Sequence, residues 1–142
     1  MALLDSYKFG LSVASHQAQA EELLGAMKLL MDDVASYKSA VALLAVHSAI
    51  AFNDAVLERL TGAAHKGQDH STASRKTRSA CGKNKIDISG IKHLEYLPSK
   101  KGEYSYSGIV DQETAEYAAD KAEKFYNCTY RSGVLQRESS DA

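Results

Sequence analysis

One proline, two cysteines and no tryptophan occur in a chain of 142 residues. Each shortage excludes something. Proline disrupts helix interiors, so its scarcity suits long helices better than a turn-rich β fold and leaves little room for sheet. Cys81 and Cys128 have no C-x-x-C partner, and their spacing gives no support to a disulfide. In a cytosolic chain both thiols are expected to be reduced. Charge of one sign is also lacking. A formal net charge of −1 gives no global attraction to nucleic acid or membrane, so local clustering must decide. No apolar run approaches the roughly 20 residues of a membrane span, and the N-terminus lacks the basic start and apolar block of a signal peptide. A cytoplasmic protein without membrane contact is the expectation.

What is present is ordinary globular composition, 44% hydrophobic and 25% charged, which suits one core-forming domain. The domain is expected over residues 1–135, followed by a polar, flexible tail over 136–142, "QRESSDA". From Ala20 onward, Leu23, Leu24, Met27, Leu30, Met31 and Val34 recur at three- and four-residue steps, the period of an amphipathic helix. The segment Tyr37 to Leu60 is apolar nearly all round between Ala40 and Ala51, which predicts the central, most buried helix, stopped at Gly62. A short polar helix capped by Asp69 or Ser71 is predicted next, ending near Cys81 and Gly82. Asp87 or Ser89 is predicted to cap another short helix, "GIKHLEYL", that ends at Pro98. Asp111 is predicted to cap the last helix, with Ala115, Ala118, Ala119, Ala122, Phe125 and Tyr126 facing inward and Gly133 past its end. The expected fold is all-α: an antiparallel bundle of three long and two short helices.

Three groupings bear on function. The first is "DAVLERLTGAAHKGQDH", which holds Arg59, His65, Asp69 and His70. Adjacent helical residues point about 100° apart, unlike the paired histidines of a zinc helix, so no metal is assigned to it. The second is His47 with Asp54, two turns apart on the central helix. They read as a satisfied structural pair, with Asp54 accepting hydrogen bonds from the glycine-rich connection or from His70. His47, Asp54, Asp69 and His70 thus form a predicted structural polar cluster. The third is electrostatic. From Arg75 to Lys101, eight basic residues (Arg75, Lys76, Arg78, Lys83, Lys85, Lys92, Lys100, Lys101) face only Asp87 and Glu95, an excess of six. Such a stretch can bind phosphates, with Tyr96, Tyr104 and Tyr106 available to stack on bases.

The pattern "HSAIAFNDAVLERLTGAAHKGQDH", followed by "GIKHLEYLPSKKGEYSYSGIVDQETAEYAADKAEKFYNCTY", resembles the HEPN-like helical domains of prokaryotes. The likeness spans about Ser36 to Leu135. It comprises an aspartate late in the second long helix, a glycine-to-"DH" connection, a "K…EY" element and a last helix reading "AEKFY". The resemblance implies an α-helical bundle, commonly dimeric. Many members are metal-independent ribonucleases that act as toxins or in defence against phage, with an Arg-x4–6-His motif at the start of the last long helix. In this chain Lys100 stands nearest that arginine and Tyr104 nearest that histidine, so the motif is degenerate. Lysine lacks the bidentate guanidinium fork, and a phenol with a pKa near 10 is a poor base at neutral pH. Arg59 and His65 fit Arg-x5-His in spacing, at the end of the central helix instead.

The resulting expectation is a non-catalytic HEPN-like module that binds RNA, a nucleotide or a partner protein in a toxin–antitoxin or defence system, needing no cofactor. Arg75, Lys76, Arg78, Lys100, Lys101, Tyr104 and Tyr106 are its predicted phosphate or RNA contacts. The expected protein partners are a second copy of the chain and a nucleotidyltransferase-like antitoxin. The alternative is an active metal-independent ribonuclease using Arg59 with His65, or Lys100 with Tyr104.

Overall fold

The computed structural model describes residues 2–64, 70–87, 89–106 and 110–136, with residues 2–12 and His70, Ser71, Gly102, Ser105 and Tyr106 described by backbone alone. These residues form six helices and no strand: α1 (Ala2–Met31), α2 (Lys38–Thr61), α3 (His70–Lys83), α4 (Ile91–Ser99), α5 (Lys101–Tyr106) and α6 (Gln112–Arg131). The all-α expectation holds. Two differences are local. The first helix reaches back to Ala2, and a short helix, α5, occupies the segment expected to be the loop before the last helix.

α2 is the centre. It touches every other helix, and Val41, Ala42, Ala45, Val46, Ala49, Phe52 and Ala55 are 0% exposed along it. By length and hydropathy α2 would suffice to cross a membrane, so the reading that no apolar run comes near that length does not hold; 67% of its most apolar stretch is buried in the bundle. Its alanines let neighbouring helices approach closely, and Phe52 fills the remaining space against Tyr126 and Tyr130 of α6, with ring centroids 5.3 and 6.3 Å away. α2 stops at Gly62, whose φ of 89° is the left-handed region that glycine enters without a side-chain clash.

Side-chain pairs give the helix directions. His16 in mid-α1 meets the buried Glu58 near the end of α2, with Nε2 to Oε2 at 3.6 Å, so α1 and α2 run antiparallel. Lys28 meets Glu123, and the Tyr130 hydroxyl donates to the Glu21 carboxylate, so α6 also runs antiparallel to α1. α2 and α6 are therefore parallel, joined by the crossover that contains the three shorter helices α3, α4 and α5, which corrects the expected antiparallel arrangement of three long and two short helices, because the intervening helices return the chain to the end where α2 began. The Gln17 amide donates to the Tyr130 hydroxyl (3.0 Å) and to the Gln136 carbonyl (2.8 Å), which holds the first residue of the predicted tail against α1. Residues 137–142 lie outside the described residues.

Capping follows the expectation at α6, where Asp111 Oδ1 accepts from the Thr114 backbone N–H at 2.7 Å. It departs elsewhere. α4 begins after Gly90 without a side-chain cap, because Asp87 instead accepts from the Ser89 backbone and hydroxyl in a local turn. Pro98 sits inside the last turn of α4 rather than ending it. Ser71 lies within α3, and Asp69 falls outside the described residues.

Besides Ser48 and Glu58, α2 turns Asn53 (3% exposed) inward, one residue before the aspartate predicted for that role. One residue is about 100° of helix rotation, which leaves Asp54 half-buried and partnered. Thr77 of α3, also buried, places its hydroxyl against Asn53 Oδ1 and within 3.1 Å of the Ala73 carbonyl. Thr77→Val is expected to strand the Asn53 side chain and lower stability by about 1–3 kcal/mol, measured by urea unfolding.

Candidate nucleic-acid interface

The basic quarter is distributed over α3, the α3–α4 connection, α4 and α5. On α3, Arg75, Lys76 and Arg78 are exposed while Ala73, Ser74, Thr77, Ala80 and Cys81 turn inward, which separates the helix into a cationic and a buried face. Arg75 donates to the Thr72 hydroxyl at 3.3 Å. Arg78 is committed to Glu95 of α4 through both Nε (3.1 Å) and a terminal nitrogen. Lys83, Lys85 and Lys92 are exposed and have no ion-pair partner among the described residues.

Lys85 occupies an unusual backbone position. Its N–H donates to the Gly82 carbonyl and the Ile86 N–H to the Cys81 carbonyl, the two bonds of a Schellman motif closing α3. The left-handed residue of that motif, usually glycine, is here a lysine with φ of 56°. A side chain in this region costs about 1–2 kcal/mol.

The predicted phosphate-handling pair is not assembled as expected. Lys100 is half-buried, 3.4 Å from Glu103 and 5.8 Å from the centre of the Tyr96 ring, so its charge is already engaged. Tyr104 is 3% exposed and packs in the core, where it cannot stack on a base or reach a substrate. Its location follows from α5: helical geometry turns Tyr104 inward, where an extended loop would have left it free to face solvent. The Tyr104 hydroxyl has no hydrogen-bond partner among the described residues. Burial pushes this phenol well above its ordinary range, and the Tyr96 hydroxyl, close by but outside hydrogen-bonding geometry, pushes the same way. Tyr104 is thus corrected from a candidate base to a core residue. Tyr104→Phe is expected to leave stability unchanged or raise it by up to about 1 kcal/mol, since only an unpaired buried hydroxyl is removed.

Of the remaining predicted residues, Arg59 is exposed in the last turn of α2 and Lys101 is half-buried. His65 and Asp69 lie outside the described residues, as do the side chains of His70 and Tyr106. His47 is exposed on α2, so it does not join Asp54 inside the bundle. Partial burial and then the nearby Lys101 ammonium lower its pKa.

A histidine absent from the sequence expectation is more deeply placed. His93 of α4 is 8% exposed, and burial first, then Lys121, Lys92 and Lys124, hold it below the ordinary imidazole value, with Asp120 opposing. Its only signal in the sequence was its position two residues after Ile91, in a helix too short to reveal which side faces inward. Both His47 and His93 resist protonation in the folded state. The unfolded chain therefore binds more protons as pH falls through about 6.5, and stability falls over the same window. The thermal midpoint is expected to be lower at pH 5.5 than at 7.5, with a smaller drop in His93→Gln.

No protein-family model, curated protein or solved structure matches the chain.

Proposed function

We propose that this chain is a non-catalytic HEPN-like helical module that binds single-stranded RNA through the cationic face of α3 and the α3–α4 connection. The observation behind this reading is that Arg75, Lys83, Lys85 and Lys92 are exposed without a carboxylate partner among the described residues, while Arg78 is neutralised by Glu95. Keeping a lysine at the left-handed position of Lys85 adds support, because glycine would be easier there and would supply no charge. The proposed RNA-binding residues move accordingly from Lys100 and Tyr104 toward α3. Tyr96, half-buried and packed edge-on against Tyr117 with centroids 5.2 Å apart, is the aromatic nearest to this role.

The resemblance alone supplies the setting: a homodimer in a toxin–antitoxin or defence system, paired with a nucleotidyltransferase-like antitoxin; the cytoplasmic location is carried over from the sequence expectation. A non-catalytic module is favoured because Tyr104 is buried and protonated, leaving the Lys100 pair without a base. Metal-free RNA cleavage in EDTA, abolished by His65→Ala, would instead establish the ribonuclease alternative through Arg59 and His65.

Two variants test the binding surface. Arg75→Ala is expected to flatten the dependence of log affinity on log salt by about 0.7 for each phosphate that is no longer neutralised, read from gel-shift titrations. Lys85→Gly is expected to weaken binding while raising stability by up to about 1 kcal/mol. No RNA binding at low salt would remove this function and leave a protein-interaction module.

A further inference from the structure

A second cationic feature, sharing Lys92 with the first, lies where α4 starts against the C-terminal half of α6. The close approach depends on Gly90: a Cβ there would come within 2.5 Å of both Cβ and Sγ of Cys128. The result is a cleft of about 320 Å³, at the small end of the roughly 300–1,000 Å³ usual for ligand sites. Lys92, His93, Lys124 and Arg131 line it, with Ser89 and Asn127 as neutral donors.

The charges are unevenly satisfied. Lys124 is paired with Asp120 at 2.9 Å, and the Asp87 carboxylate in the wall already accepts from the Ser89 N–H and hydroxyl. Lys92 and Arg131 have no acidic partner among the described residues. His93 is more than nine-tenths buried, yet its ring has no hydrogen-bond partner among the described residues, and it faces the same cleft. Its ring nitrogens are not sealed from solvent, since among the described residues the Tyr104 hydroxyl alone is both buried and unpartnered; they open on the cleft, where an anion can reach them. The first turn of α4, which has no side-chain cap, adds the partial positive charge of a helix N-terminus.

We infer that this cleft is a binding site for a phosphomonoester dianion, held by Lys92 and Arg131, hydrogen-bonded by His93 and seated at the start of α4. Two unpaired cations match a dianion, where a single carboxylate would leave one of them unanswered. Arg131 offers the forked geometry that fits two phosphate oxygens, and the imidazole supplies one N–H donor. The inference shares Lys92 with the proposed RNA surface but can be tested apart from it, because Arg75 does not line this cleft.

The test is a titration of the full chain with inorganic phosphate at low ionic strength, following the ¹⁵N resonances of the His93 ring. A saturable shift is expected, about tenfold weaker in Lys92→Gln and in Arg131→Gln, and unchanged in Arg75→Ala. A second arm compares short oligoribonucleotides with a 5′-phosphate or a 5′-hydroxyl. Tighter binding of the phosphorylated form, abolished in Arg131→Gln, identifies an RNA end as the source of the phosphate. Equal binding of the two, alongside saturable inorganic phosphate, identifies a small phosphate compound. A non-saturating shift that is the same in the Lys92→Gln/Arg131→Gln double variant overturns the site. Circular dichroism of each variant separates loss of the site from loss of the fold.

Discussion

α2 is apolar around most of its circumference, with His47 and Arg59 among its few exposed residues, and the rest of the molecule is arranged to cover it. A helix apolar on one stripe needs one partner; a helix apolar all round needs partners on every side. The long helices α1 and α6 supply two, and α3, α4 and α5 close the remainder. The alanine-rich surface of α2 sets how near these neighbours come, and Phe52 fixes where α6 sits by engaging Tyr126 and Tyr130.

Covering α2 forces polar groups into contact at depth, and each is answered locally. Asn53 meets Thr77, Glu58 meets His16, and Gln17 joins Tyr130 to the backbone at Gln136. These pairs link α2 to α3, α2 to α1, and α1 to both α6 and the C-terminal extension, so they act as directional ties within a core that is otherwise nondirectional. Two groups differ from these, the Tyr104 hydroxyl, which is buried without a partner among the described residues, and the His93 ring, which opens on a cleft. The first is sealed from water and unpaired, a residue of packing. The second borders a cleft in which Lys92 and Arg131 have no acidic partner among the described residues.

The surface repeats this contrast between charges that are spent and charges that are available. Counting lysines and arginines along the chain treats Arg78 and Lys100 as equal to Arg75 and Lys85. The fold separates them, because Glu95 and Glu103 lie within reach of the first two. Arg75, Lys83 and Lys85, on α3 and the turn that follows it, are left without a carboxylate partner among the described residues.

The sequence by itself determined the all-helical class, the central place of α2, its stop at Gly62, the Asp111 cap and the inward alanine stripe of α6. These follow from period, composition and near-neighbour chemistry, which act over one or two turns of chain. It did not determine whether Asn53 or Asp54 faces inward. The two positions differ by one helical step, and α2 has no clear polar face to set its rotation. Nor did it determine the fate of Tyr104, which depended on whether residues 101–106 coil into a helix against the core. His93 carries little local mark: its burial and its neighbours Lys121 and Lys124 arise only when α4 docks on α6 at Gly90, through residues tens of positions apart in the chain. Tertiary structure alone decided which polar groups have partners, because partnership is a property of distance in space and not of order along the chain.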